Sequence, residues 1–303
     1  MRTPLTVMAV LLAALLGAAI ATPEDKTPPP APRTAPVEVI ARRVEALREL
    51  RFERVPRPER VSADQARAEG LQELDRSYPP ERRRADEEIL KLLGLIGPDA
   101  DLRELAASLY GEGVGGYYVP RSGRLRVVAG AATGTTVLAE MVLAHELTHA
   151  LEDQRYGLDI EDLSGSDDAT LARIALVEGT ATALMYAYAE RHFTVEETLG
   201  GVLASAFADT GDLPPFLQAQ TLFPYVQGEV FASRLLRRAG GSWSLVDTAY
   251  EFRPPSSTEQ VMHPDAYFDA DEPAAVALRV GSVLGDGWSR AAAGTWGELQ
   301  TRE

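Results

Sequence analysis

The chain has 303 residues, 45% hydrophobic and 25% charged, an ordinary globular composition and enough for one large domain or two modest ones. It contains no cysteine, which excludes disulfides, thiolate nucleophiles and cysteine-ligated metal, so any metal must be held by His, Asp, Glu or backbone oxygen. A net charge of −15 argues against a nucleic-acid partner and gives no attraction to anionic lipid, and the absence of asparagine excludes N-glycosylation.

Residues 1–21, "MRTPLTVMAVLLAALLGAAIA", set Arg2 before an apolar run from Leu5 to about Ile20 and end in the A-x-A pattern Ala19-Ile20-Ala21. This predicts a signal peptide and a secreted or periplasmic bacterial protein. The apolar run is short for a membrane span, which needs about 20 residues, so a membrane tether arises only if the segment stays uncleaved. Residues 22–36 hold six prolines and predict an extended linker. Helical spacing then predicts helices over about 37–50, 62–77, 80–95 and 101–110. This N-terminal region, 37–105, carries no chemical motif. Its apolar stripes read as packed on the core, with a propeptide-like cover as the alternative.

Gly111, Gly113 and Gly116 match G-x-G-x-x-G, but a helix precedes them and β-type residues follow, the reverse of a dinucleotide-binding context. Instead, "YYVP" and "RLRVV" flank a turn signal and predict a β-hairpin over 117–129. A helix, apolar nearly all round, is expected from Thr135 or Thr136 to Tyr156, and a second after the polar "SGSDD" loop. Further helix is expected at about 195–208 and 215–238, then turns and short helix around "GGSWSLVDTAYEFRPPSSTEQVMHP", and a strand-like "AVALRVG" in the C-terminal extension, 273–303. The fold class is mainly α with a small β-hairpin or sheet, the catalytic domain spanning 106–272.

The chemistry concentrates in "LAHELTHALEDQ", where His145-Glu146-x-x-His149 interrupts an apolar helix. Residues i and i+4 share a helix face, so two imidazoles converge as tetrahedral zinc requires, and Glu146 can reach a metal-bound water without ligating the metal. Burying these groups without partners is costly. The third ligand is expected to be Glu178, a lone carboxylate in "ALVEGTATALMYAY", which gives a His2Glu zinc site. Helical spacing makes Asp153 and Thr182 possible supports for His149 and Glu178. Zinc would lower the pKa of its water to about 7 and polarise a carbonyl, and Glu146 would act as general base. The tetrahedral intermediate needs a donor for its second oxygen, for which His263, Tyr225 and Tyr267 are the candidates. His192, at a helix end, reads as solvent-exposed or as a helix-dipole partner.

"HELTHA" with the downstream glutamate of "ALVEGTA" resembles the gluzincin clan of zinc metallopeptidases, which includes the thermolysin-like proteases. The longer series "GGYYVPRSGRLRVV", "AHELTHALEDQRYGL", "ALVEGTA", "YVQGEVF" and "PPSSTEQVMHPDAY" is similar to a group of poorly characterised bacterial metallopeptidases, over roughly residues 37–290. The resemblance implies a zincin-like fold in which the motif helix packs on the helix carrying Glu178. It also implies an edge strand within 117–129 that pairs with a peptide or protein substrate. The spacing to Glu178 is longer than in thermolysin-like enzymes, and no calcium-site segment of their kind is evident. The expected function is therefore a secreted zinc peptidase, with a non-catalytic, zinc-stabilised binding module of the cell envelope as the alternative.

Overall fold

The computed structural model describes residues 34–110, 115–129, 136–158, 167–195, 197, 213–274, 276, 287–288 and 294–302. Helix α1 (Val37–Arg48) buries Ile40, Ala41, Val44 and Arg48, one stripe of an amphipathic helix, and ends where Glu49 turns left-handed at φ 60°. After strand β1 (Pro58–Val61), helix α2 (Ala63–Ser77) starts at Ser62, whose Oγ accepts from the Gln65 amide at 3.1 Å. Helix α3 (Pro80–Leu92) carries its proline at the first position, where no backbone N–H is needed. Asp101 caps α4 (Leu102–Ser108) by accepting from the Arg103 and Glu104 amides. The four helices expected in this region are present, with ends within three residues of expectation.

The hairpin is also present, as β2 (Gly116–Val119) and β3 (Arg124–Val128) joined by a 3-10 turn over 120–122 and Gly123 at φ 62°. The sequence pattern gives no sign of β1, since "PERV" holds a proline and two charges. It is a strand because it pairs in parallel with β3, Pro58 opposite Leu125 through Val61 opposite Val128. The proline is tolerated as the strand's first residue. The sheet order is β1-β3-β2, so β2 lies at an edge.

Helices α5 (Thr136–Tyr156), α6 (Asp167–His192) and α7 (Pro215–Arg238) form the body of the molecule. Shorter helices α8 (Ser244–Glu251), α9 (Thr258–Met262), α10 (Pro264–Phe268) and α11 (Glu298–Arg302) follow. The main core joins Ile40 and Val44 of α1 to Leu147 and Leu151 of α5, Leu176 and Leu184 of α6, and Phe231 of α7. A second core packs α2, α3 and α4 around Leu74, Leu90 and Leu102, against Phe216 and Leu217 at the start of α7. Where α6 crosses α7 the backbones touch: a Cβ on Gly179 would lie 2.1 Å from the Gly228 carbonyl, and one on Gly228 would lie 2.1 Å from the Ala175 oxygen.

The signal segment, most of the linker, Gly111 and Gly113, the N-cap expected at Thr135, most of the helix expected at 195–208 and most of the strand-like 275–281 lie outside the described residues. Among the described residues no helix is long and apolar enough to cross a membrane.

Candidate metal centre

The site is built where α5 packs on α6. His145 and His149 stand one turn apart on α5, and their Nε2 atoms are 3.0 Å from each other. Glu178, from the middle of α6, brings Oε2 to 3.2 Å from both. The three residues are 1%, 4% and 4% exposed, so the donors meet in a closed interior. Donors on a tetrahedral zinc, at about 2.0–2.1 Å from the ion, stand about 3.3 Å apart. The observed triangle fits that set with little adjustment. Among the described residues, these three form the group of His, Asp and Glu side chains that could hold a metal ion.

The electrostatics point the same way. Burial works against ionising Glu178, but the two imidazoles, His149 foremost, hold its carboxyl down at about 2. Burial likewise opposes charge on His149, and the Glu178 carboxylate overrides it, raising the imidazole to about 9. Burial dominates at His145 and lowers it. The cluster thus demands one positive charge beside Glu178, which a proton on His149 or a divalent cation can meet, and the two compete.

Glu146 faces the strand side of the same helix. Its Oε2 accepts from the Tyr118 backbone N–H of β2 at 2.8 Å. Its Oε1 is buried and has no hydrogen-bond partner among the described residues. Burial pushes this carboxyl up to about 8, with Glu178 adding to the rise and His149 opposing it. The site therefore offers a basic oxygen beside the three converging donors.

Tyr225 of α7 is brought to the site. Its ring lies 6.3 Å from that of His145 at an interplanar angle of 27°, and its hydroxyl is buried without a hydrogen-bond partner among the described residues. Burial and the carboxylates of Glu178 and Glu146 hold its pKa well above the ordinary value, so it remains an O–H donor.

Four other expectations need correction. His263 is not gathered in: it sits beyond the short helix α9 at the surface, its side chain 54% exposed, with Nε2 2.9 Å from Glu298 Oε1. Tyr267 is spent in the core, edge-on to Phe231 and donating to the Arg253 carbonyl at 2.8 Å. Asp153 does not support His149, because both its oxygens are engaged elsewhere: Oδ2 accepts from the Tyr118 hydroxyl at 2.7 Å and Oδ1 from the Leu158 amide at 2.8 Å. Thr182 makes no bond to Glu178, its hydroxyl being buried without a partner among the described residues. His192 is half-buried at the end of α6, its ring 4.7 Å from Tyr188, and burial lowers its pKa.

Neither His145 nor His149 has a partner on Nδ1 among the described residues, so packing sets their rings, edge-to-face with centroids 4.6 Å apart. A further carboxylate stands one turn beyond His149. Glu152 is fully buried, accepts from Arg48 Nε at 2.7 Å and from the Tyr250 hydroxyl at 2.8 Å, and closes the motif helix from behind. The sign that singles out Glu178, an acid in an apolar helix, was present there too. Tyr118, which touches Glu146 through its backbone, had no sign in the pattern. Compared with known proteins, the chain matches no family model, no curated protein and no solved structure.

Proposed function

We propose that the protein is a secreted or periplasmic zinc-dependent metallopeptidase of zincin-like architecture, as the resemblance in its motifs implies. The observation that carries this reading is the convergence of His145 Nε2, His149 Nε2 and Glu178 Oε2 within 3.2 Å of one another, beside a glutamate with an unbonded oxygen. Two nitrogens and one carboxylate oxygen suit zinc, and three protein ligands rather than four among the described residues leave a position for chemistry. Bound there, zinc would supply Lewis acidity to a carbonyl and to water.

The remaining work falls to the chain. Glu146 Oε1 takes a proton from the attacking water and returns it to the leaving amine, while Oε2 stays fixed by Tyr118. Tyr225 Oη, kept protonated by its burial, would donate to the developing oxyanion. Strand β2, at the sheet edge, is the segment that the resemblance assigns to pairing with an extended peptide.

The test is metal content and hydrolysis in the same preparations. Wild type is expected to carry one zinc per chain and to cleave members of a peptide library, His149→Ala and Glu178→Ala to lose or weaken zinc, and Tyr225→Phe to keep zinc with slowed turnover. Zinc without hydrolysis of any peptide would favour the zinc-stabilised binding module. No zinc after reconstitution would end the metal reading.

A further inference from the structure

The Glu146 carboxylate has one hydrogen bond among the described residues, from the Tyr118 amide, so its orientation is only as well defined as the position of β2. That strand is four residues long and has a single ladder neighbour, and its Tyr118 N–H is turned to Glu146 of α5. A short edge strand of this kind is weakly held by its ladder alone. Successive residues of a strand point to opposite faces, and the two adjacent tyrosines use both. Tyr117 donates to Glu69 of α2 at 2.7 Å, while Tyr118 donates to Asp153 of α5 at 2.7 Å.

Asp153 lies seven residues beyond Glu146, two turns along nearly the same face of α5. Tyr118 therefore grips one helix at two points, its backbone N–H at Glu146 and its phenol at Asp153. The second grip is itself braced. Asp153 Oδ1 accepts from the Leu158 amide at 2.8 Å, just past Gly157, which adopts φ 70° as the helix ends. Burial and the Asp153 carboxylate raise the Tyr118 phenol, which stays protonated and donates across the working pH range.

We propose that Tyr118 and Asp153 form a positioning pair that fixes edge strand β2 along α5 and so sets the general base Glu146. The catalytic consequence rests on the peptidase reading; the mechanical one does not. A hydrogen bond to a charged acceptor, and the alignment it fixes, are each sufficient for a change of about tenfold.

The experiment compares the zinc-loaded full chain with Tyr118→Phe, Asp153→Ala and the double variant. Amide exchange over residues 115–123, read by mass spectrometry, is expected to speed up about tenfold at Tyr118 in each single variant. With a cleaved library peptide, kcat is expected to fall about tenfold, with zinc content unchanged and KM within about twofold, and the double variant no slower than the worse single one. Unchanged exchange in Tyr118→Phe, or losses that simply multiply in the double variant, would overturn the pairing. If the wild type binds zinc but cleaves nothing, the peptidase reading fails, and the exchange measurement still decides whether Tyr118 and Asp153 hold the strand.

Discussion

The two oxygens of Glu146 stand in different circumstances, and that difference is what a general base requires. Oε2 is tied to the Tyr118 amide, while Oε1 is unbonded and buried, with its proton affinity raised. Replacing the residue with glutamine keeps the shape and the acceptor for Tyr118 but removes the base. Glu146→Gln is expected to retain one zinc per chain, by elemental analysis, and to lose turnover by about 10²–10⁴-fold, the usual weight of positioned proton transfer. The same substitution has a signature in the chelated protein. Because burial lifts the carboxyl from its ordinary 4.5 to about 8, the folded state holds the proton more tightly than the unfolded chain does. That contribution is fully present below about pH 4.5 and is lost as pH rises to about 8. Urea midpoints of the chelated wild type should therefore fall across this window, and those of Glu146→Gln should fall less. Equal slopes in the two proteins would show that the carboxyl is not held in the environment described.

Elements place these residues, and the crossing of α6 on α7 is the tightest constraint on Glu178. Gly179 follows Glu178 directly and meets the Gly228 backbone, where an added Cβ would come within 2.1 Å of the carbonyl carbon and oxygen. In an exposed helix, alanine in place of glycine stabilises by about 1 kcal/mol; here the sign reverses, because backbone cannot yield as a side-chain tip can. Gly179→Ala is expected to cost about 3 kcal/mol or more in urea unfolding, and to weaken zinc binding by moving Glu178. A neutral or stabilising result would mean that the helices are farther apart than described. Such a crossing is hard to read in sequence, since a glycine in an apolar helix does not name its neighbour. What was legible was local: the i, i+4 histidines, the helices that begin near Ser62 and Asp101, and the hairpin turn. What was not legible depended on distant partners. β1 is a strand only because β3 lies beside it. Asp153 shares a face with His149, yet its side chain is claimed by Tyr118. An acid in an apolar helix proved an ambiguous sign. Glu178 meets two imidazoles, whereas Glu140 is held by Arg43 and Tyr188 and Glu152 by Arg48 and Tyr250, where the work is structural.

At the scale of the whole molecule, the N-terminal helix is wired into the motif helix by a buried ion pair between Arg48 and Glu152. Arg48, at the end of α1, is fully buried. Its Nε meets Glu152 Oε1 at 2.7 Å and its Nη2 meets Asp247 of α8 at 2.8 Å, while the guanidinium lies 4.7 Å over the Trp243 ring. Trp243 in turn donates to the Leu47 carbonyl at 2.6 Å. Burial opposes the charge on Arg48, but Glu152 and Asp247 outweigh it and hold the guanidinium firmly protonated. Removing one member of such a set leaves the other charge buried and unpaired, which costs about 3–5 kcal/mol. Replacing the set with apolar groups of similar size need cost little. Arg48→Ala is therefore expected to destabilise by that amount, and Arg48→Met with Glu152→Leu by clearly less. The same wiring bears on whether the N-terminal region can be shed. Loss of residues 34–61 would strip Ile40, Ala41 and Val44 from the main core, strand β1 from β3, and the counter-ion from Glu152. A chain beginning at residue 62 is expected to be insoluble or unfolded by circular dichroism and to bind no zinc. If a mature form starting near there were recovered folded and zinc-loaded, α1 would be a removable cover and its buried arginine a latch. With the main core shared by α1, α5, α6 and α7, the expected outcome is that α1 belongs to the scaffold that holds α5 in place beneath its two histidines.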